Sequence, residues 1–515
     1  MTHPNHICTT DEMRKLEQSA ISGGSSQQRL MQKAGEEVSR EIVASYHPII
    51  GARVLVLIGS GNNGGDGAVI ANQLSQAGAQ VSILIAKPKR KVSDLIDELP
   101  ASIQIITHSP GTARHLAKEA DVIVDCLLGI GGTIPIRDPI RAILKEISTA
   151  KALRISCDVP SGLDANTGKV DPITFKADIT ISTGPLKLGS LLYPGRQYCG
   201  KLIQTDIGIP KNHLDELPGR QITSRSVAKI LPERTLDGHK GSYGRTLVIA
   251  GSRNFPGAAA LTCLGALRSG AGYTKLASIE SVVCTAASHS PDIIFEFLPE
   301  FNGTISANSA KDIIQLSDLA DSLIVGPGLG NTEDINLIVK RLLQSCNMGC
   351  PIVLDADGLS SIDKSLFDSI NRNQPLILTP HPGEMAKIMG VDLRTVSDNR
   401  LHFACSLANT SEGVTVLKGA GTIVADPSGR YSIVSEPSPA LAVAGSGDVL
   451  SGIIGAMLAQ QVSPFEAAIA GVHLHVKCGI ELGKNLGLSG VIASDIPTQI
   501  PHIVKSISIN HSATS

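Results

Sequence analysis

Residues 442–460 read AVAGSGDVLSGIIGAMLAQ. Four small residues, Ala444-Gly445-Ser446-Gly447, precede a single carboxylate at Asp448, and an apolar segment of helical character follows. Small residues leave backbone N–H groups unshielded, and a helix N-terminus adds unpaired donors and partial positive charge, so the junction suits an anion. A carboxylate at the lip of such a hole is placed to act as general base beside a phosphate. The alternative is a glycine-rich turn whose Asp448 is simply a first-turn acid favoured by the helix dipole.

Outward from this stretch, the chain is 515 residues long, which suggests more than one domain. A hydrophobic fraction of 42% and a charged fraction of 18% are those of a globular protein. The net charge of −2 argues against nucleic acid or a membrane surface as partner. Glycine is abundant (51) and aromatics are only 3%, which suits α/β layers with tight turns between strand and helix. The ten cysteines are scattered; only Cys346 and Cys350 lie close together, and no pattern has zinc spacing, so reduced thiols and a cytoplasmic location are expected. No apolar signal segment opens the chain, and no apolar run reaches membrane-spanning length.

In the first half, Thr10 reads as the cap of a first helix, and a second is expected over Leu30–Ala44. Arg53–Ile58 (RVLVLI) reads as a buried parallel strand. It empties into Gly59-Ser60-Gly61-Asn62-Asn63-Gly64-Gly65-Asp66-Gly67, with a helix expected from Ala68 and a strand at Val81–Ala86. Gly59, Gly61 and Gly64 match G-x-G-x-x-G, but the acid expected at the end of the second strand is missing. Asn62, Asn63 and Asp66 instead gather oxygen ligands toward one spot, which fits a polar ligand or a hard cation. The basic run Lys87–Lys91 reads as a solvated loop. Strands at Asp121–Asp125 and Ala152–Asp158 also end in polar groups, namely Asp125, and Asp158 with Ser161. Ligands of open parallel sheets bind outside the carboxyl ends of the strands, so three loaded strand ends mark a site.

The segments GNNGGDG, VDCLLGIGG, DVPSGLDANTG and YPGRQYCGKLIQTDIGIP resemble the N-terminal half of the bifunctional NAD(P)H-hydrate repair enzymes. The resemblance implies a Rossmann-like three-layer unit that epimerises hydrated nicotinamide cofactors. It places Asn62, Asn63, Gly64, Gly65 and Asp66, and Gly129, Ile130, Gly131, Gly132, Thr133, Ile134 and Pro135, in the hydrate pocket. It also implies that Asn63, Asp125 and Ser161 hold K+, and that Asp158 contacts the nicotinamide ring as acid or base.

The polar stretch KNHLDELPGRQITSRS interrupts the strand–turn rhythm, so a boundary is expected between domains 1–222 and 223–515. The second half again alternates apolar strands with turns rich in Gly, Pro and acids, a second doubly wound α/β pattern. Lys418 beside Gly419-Ala420-Gly421-Thr422 is either a surface lysine at a hairpin or a phosphate contact. His473 and His475 do not share a helix face and are read as packed histidines, not as a metal pair.

HKGSYGR, AGSRNFPGAAALTCLGALRSGAG, GPGLG, LDADGL, TPHPGEM, LKGAGT and AGSGDVLSGIIGAMLAQ resemble the ribokinase-like, ADP-dependent NAD(P)H-hydrate dehydratase half of the same family. By that resemblance Ala258, Gly328 and the run His381, Pro382, Gly383, Glu384, Met385, Ala386 and Lys387 contact the hydrate. Lys418, Gly419, Ala420, Gly421, Thr422, Gly445, Ser446 and Gly447 hold the nucleotide, and Asp448 touches the substrate as base. ADP is implied as co-substrate, with Mg2+ on the nucleotide, hydrates of NADH and NADPH (NADHX and NADPHX) as substrates, and a homo-oligomer as the assembly. The family usually carries an acid where this chain has Ser242, and a Gly–Gly pair where it has Ala444-Gly445. Two other readings remain open at this level, a ribokinase-like vitamin or sugar kinase with a regulatory N-terminal domain, and a nucleotide-sensing protein without catalysis.

Overall fold

The computed structural model describes residues 6–87, 90–345, 349–363, 365–368 and 374–512. Cys346 lies outside them, as do Pro88 and Lys89 of the basic run. The chain divides into two compact units, Met1–Gln221 and Ile222–Ser515.

The N-terminal unit is built on seven parallel strands, β1 (Arg53–Ile58), β2 (Gln80–Ile85), β3 (Gln104–Thr107), β4 (Val122–Cys126), β5 (Leu153–Cys157), β6 (Ile179–Thr183) and β7 (Lys201–Thr205). Their spatial order is β3-β2-β1-β4-β5-β6-β7. Alternation along β1 decides the layers. Val54, Val56 and Ile58 pack on one face with Val38, Ile42 and Leu74. Leu55 and Leu57 pack on the other with Ala113, Ile143 and Ile147. Both faces are therefore covered by helices, as an all-parallel sheet requires. The order reverses between β1 and β4, and a crevice opens at such a switch point outside the strand carboxyl ends.

Helix α1 (Thr10–Ser22) is capped by Thr9, not Thr10, because Thr9 and Glu12 form a reciprocal capping box. Helix α2 spans Gln27–Ser45. Helix α3 (Asn62–Gln76) starts inside the glycine-rich run, well before the expected Ala68. Tertiary packing overrides the poor helix propensity of glycine there. A Cβ on Gly64 would lie 2.1 Å from Gly59 O, and one on Gly59 would lie 1.9 Å from Leu127 O. The expected basic loop also differs, since a helix begins at Arg90.

Among the described residues of the C-terminal unit, a small hairpin (Glu300–Phe301 with Thr304–Ile305) stands apart from a run of nine paired strands, β8 (Arg245–Ile249), β9 (Tyr273–Ser278), β10 (Ile294–Phe297), β11 (Ser322–Val325), β12 (Ile352–Leu354), β13 (Leu376–Leu378), β14 (Val414–Leu417), β15 (Ile423–Ala425) and β16 (Tyr431–Ile433). They run in the order β10-β9-β8-β11-β12-β13-β14-β15-β16, parallel as far as β14 and antiparallel beyond it. Helices α4 (Pro256–Arg268), α5 (Pro382–Met389), α6 (Ser446–Ala459) and α7 (Pro464–Leu486) bear on the site.

Helix α6 is buried continuously from Val449 to Ala459. It lies against α4 at backbone contact, since a Cβ on Gly452 would meet Thr262 O at 2.2 Å and one on Gly265 would meet Val449 O at 2.6 Å. This contact fixes where the first turn of α6 presents Asp448. His473 and His475 are buried on α7, and His473 Nε2 lies 3.0 Å from Ser224 Oγ. None of the described cysteines is in a disulfide, and most are buried. Among the described residues no helix is long and apolar enough to cross a membrane.

Replacing Gly452 by Ala inserts a methyl group where none fits. The C-terminal unit is expected to lose about 1–3 kcal/mol of stability in denaturant melts, the usual cost of overpacking. An unchanged midpoint would contradict the backbone contact.

Candidate active sites at two sets of strand ends

In the N-terminal unit, the early start of α3 divides Asn62, Asn63 and Asp66 between two places, so they do not converge on one spot as expected. Asn63 is buried and turns toward the sheet, its Nδ2 donating to Leu128 O (3.0 Å) and Cys157 O (3.4 Å). Asn62 and Asp66, one helical turn apart, line a cavity of about 310 Å³ with Glu17, Gln27, Met31 and Thr183. Burial pushes the Asp66 carboxyl well above its ordinary value, and the charges of Asp158 and Glu17 add to the rise.

Asp125, at the end of β4, is fully buried. Its Oδ2 accepts from Ser161 N (2.8 Å), and its Oδ1 accepts from Ser161 Oγ (2.7 Å) and Leu127 N (3.2 Å). Burial outweighs these bonds and lifts the carboxyl to about 6. Nearby Asn63 Oδ1 is buried without a hydrogen-bond partner. A buried acid and an orphaned amide oxygen fit a cation that takes oxygen ligands. Ser161 Oγ already donates to Asp125 and accepts from Leu128 N (2.9 Å), which leaves one lone pair for such an ion.

Asp158 follows β5 with a backbone φ of 70°, a left-handed conformation unusual outside glycine. Its Oδ1 accepts from Thr183 Oγ1 (2.8 Å) and lies 2.6 Å from Lys187 Nζ. Gly129, at the head of the 129–135 loop, abuts both Asn63 and Asp158, since a Cβ there would be 3.2 Å from Asn63 Cβ and 3.5 Å from Asp158 Oδ2. Thr183, Lys187 and Glu17 were not singled out from sequence. A fourth loaded strand end, ITISTGPLK at 179–187, was the available signal.

The C-terminal site is organised by Asp355, which follows β12 and is 1% exposed. Its Oδ1 accepts from Lys418 Nζ at 2.6 Å, and its Oδ2 accepts from Ser451 Oγ of α6 at 2.6 Å. Burial alone raises this carboxyl, but the charge of Lys418 wins and holds it below the ordinary value. Lys418 is therefore not a surface lysine. Its Nζ also lies 3.9 Å from Glu384 and close to Gly447, where a Cβ would sit 3.5 Å away. The hairpin turn after Lys418 is pinned by Arg400, whose Nη2 donates to the carbonyls of Leu417, Lys418 and Gly421. Burial lowers that guanidinium to about 10.

Asp448 stands in the first turn of α6, after Gly445 at φ 87°. Burial lifts its carboxyl to about 7, with a further push from the negative charge of Asp355. That is a value suited to a general base near neutrality. The Ser446 hydroxyl turns away to Leu441 O (2.8 Å) and its N–H donates to Val443 O (3.3 Å), so the donors left to an anion here are those of its glycine neighbours.

Within the expected hydrate run, His381 and Glu384 form the N-terminal capping box of α5. His381 Nδ1 accepts from the Gly383 and Glu384 amides, and Glu384 Oε2 accepts from His381 N (2.7 Å). Burial raises Glu384 to about 7. Met385 and Ala386 point into the core and Lys387 is exposed, so helix periodicity leaves the run only its first turn beside Lys418. Ala258 and Gly328 are neighbours at the switch between β8 and β11, where a Cβ on Gly328 would be 2.8 Å from Ala258 Cβ. Asp355 and Arg400 were missed as site residues, although LDADGL carries the acid at a strand end.

Among known proteins, a family model described as NAD(P)H-hydrate dehydratase matches residues 246–502. One described as YjeF-related protein N-terminus matches residues 27–189. The bifunctional NAD(P)H-hydrate repair enzyme Nnr of Thermofilum pendens is 34% identical over 511 residues, covering 97% of this chain and 96% of that protein. The crystal structure of the ADP/ATP-dependent NAD(P)H-hydrate dehydratase from Bacillus subtilis, co-crystallised with ATP and Mg2+, is 32% identical with a TM-score of 0.51. It covers 56% of this chain and 98% of that one. A ribokinase-like superfamily protein of Enterococcus faecalis, 22% identical with a TM-score of 0.50, covers 56% of this chain and 97% of its own and shares the fold.

The raised carboxyl of Asp448 ties stability to pH. The folded protein holds this proton more tightly than the unfolded chain, so the stabilisation is whole below about pH 4 and is lost as pH rises through 7. Asp448→Asn escapes that loss. It is expected to be more stable than wild type by about 1–4 kcal/mol at about pH 8, with the gain vanishing in acid. Equal denaturation midpoints in base would contradict a buried carboxylate lacking its own counter-charge.

Proposed function

The chain belongs to the family of bifunctional NAD(P)H-hydrate repair enzymes, and we propose that its two units divide the repair between two sets of strand ends. The N-terminal unit epimerises the R and S hydrates, and the C-terminal unit dehydrates the S form at the expense of ADP. The observation that carries this reading is the C-terminal arrangement, with the near-neutral carboxyl of Asp448 at a helix N-terminus beside the Asp355–Lys418 pair.

In the C-terminal unit, Asp448 takes the proton of the ring hydroxyl, which attacks the terminal phosphoryl group of ADP and releases AMP. The backbone N–H groups of Gly445 and Gly447, at the head of α6, face the phosphoryl oxygens, while the Ser446 N–H is taken by Val443 O. Lys418, held by Asp355, is positioned to add positive charge on the same side. Elimination of phosphate then restores NADH or NADPH. Mg2+ would bring charge neutralisation with the nucleotide, held chiefly by its phosphates and water, because Asp355 and Glu384 are engaged with protein partners.

In the N-terminal unit, Asp158 moves the proton at the ring carbinol while Asn62 and Asp66 line the hydrate pocket. K+ would be held by Asn63 and Asp125 with Ser161, and would supply positive charge to this site. Thiols outside any disulfide are those expected in a reducing compartment, which supports a cytoplasmic location.

The two assignments separate by mutation. Asp448→Asn is expected to lower dehydration of the S hydrate by about 10²–10⁴-fold, the usual worth of a general base, with epimerisation unchanged. Asp158→Asn is expected to do the reverse. The readouts are return of reduced-nicotinamide absorbance from pure S hydrate, and chromatographic resolution of R from S. Near wild-type dehydration in Asp448→Asn would remove Asp448 as the base.

A further inference from the structure

Lys187 brings a charged amine into the wall of the N-terminal site at 1% exposure. A lysine leaves water so completely only when its charge and all its donors are met. Residues Leu186–Lys187 run parallel to His6–Cys8, with Lys187 paired to Cys8. The turn before them is tied by Ser182 Oγ donating to Pro185 O (2.9 Å), which curls the lysine back over the end of its own strand. There Nζ lies 2.6 Å from Asp158 Oδ1 and donates to Thr183 O (2.6 Å) and Ser182 Oγ (3.3 Å).

An ammonium has three N–H groups and no acceptor, so these contacts use all it can offer. Nothing is left to meet a substrate, and the charged amine has no lone pair for attack on a carbonyl. The effect falls on Asp158. Its Oδ1 is held from two sides, by Lys187 and by Thr183 Oγ1, while Oδ2 takes part in neither contact and faces Gly129 of the expected pocket loop. The left-handed backbone at Asp158 needs surroundings that impose it, and the lysine is part of them. Asp66, Glu17 and Cys8 also surround the pair; Cys8 is a buried neutral thiol, so Lys187 balances the acids, with Arg14 adding positive charge near Glu17.

We propose that Lys187, assisted by Thr183, is a positioning residue for epimerisation, locking Asp158 Oδ1 so that Oδ2 alone meets the carbinol of the hydrate. The proposal rests on Asp158 as the acid or base of that reaction. It predicts a loss in kcat with KM nearly unchanged, because Lys187 touches the reacting group and not the substrate.

The test uses the full-length protein with pure R hydrate, following initial appearance of S hydrate above the uncatalysed rate. Lys187→Met is expected to lower kcat by about 10²-fold, the scale of a small misplacement of a reacting group, with KM within about threefold. Thr183→Val removes one hydroxyl and keeps the charge; it is expected to lower kcat by about tenfold, and Thr183→Ser to recover most of that loss. If Lys187→Met does not fold, the Thr183 pair still decides. Wild-type kcat in Lys187→Met or Thr183→Val, with Asp158→Asn inactive, would overturn the positioning role alone. So would a loss confined to KM. Wild-type epimerisation in Asp158→Asn would instead overturn the underlying assignment of Asp158.

Discussion

The ion pair between Asp355 and Lys418 is the interaction on which the C-terminal site depends. One carboxylate, removed from water at the end of β12, joins the hairpin through Lys418 and helix α6 through Ser451. Taking both charges from water is expensive, and removing one partner of such a pair typically costs about 3–5 kcal/mol. The pair therefore persists only as a unit. Its placement has a chemical result, because the negative charge of Asp355 helps to hold Asp448 near neutrality while Lys418 stays beside Gly447.

The N-terminal unit meets the same constraint with different parts. Asp158 and Lys187 form a buried pair at a strand end, close to Asp66, whose own carboxyl burial drives upward. In both units a lysine fixes one acid and leaves another without a cation of its own. Glycine at backbone contacts makes these placements possible, at Gly59 and Gly64 in one unit and at Gly265 and Gly452 in the other.

The strand–turn rhythm and the acids at the strand ends were legible, since buried parallel strands are short apolar runs that empty into polar loops. Asp125 and Asp158 could be found in that way, and Asp448 from the small residues that open its helix. The partners of these acids could not. Lys418 and Asp355 are 63 residues apart, and their meeting depends on a strand order that periodicity does not encode. Lys418 therefore looked like a phosphate contact or a surface lysine, and Lys187 attracted no notice. The reading of GNNGGDG as a loop failed for a local reason. Gly64, Gly65 and Gly67 of helix α3, where a Cβ would collide with neighbouring atoms, resemble a flexible turn when only propensity is considered. That error moved Asn63 and Asp66 onto one spot, whereas the helix turns one toward the sheet and the other toward the cavity.

The most direct measurement is recovery of reduced-nicotinamide absorbance from a racemic NADH hydrate preparation supplied with ADP. Two working sites predict return of the whole racemate, with AMP and free phosphate released. Recovery that stops at half would contradict a working epimerase, and a stable phosphorylated product without recovery would contradict the dehydratase.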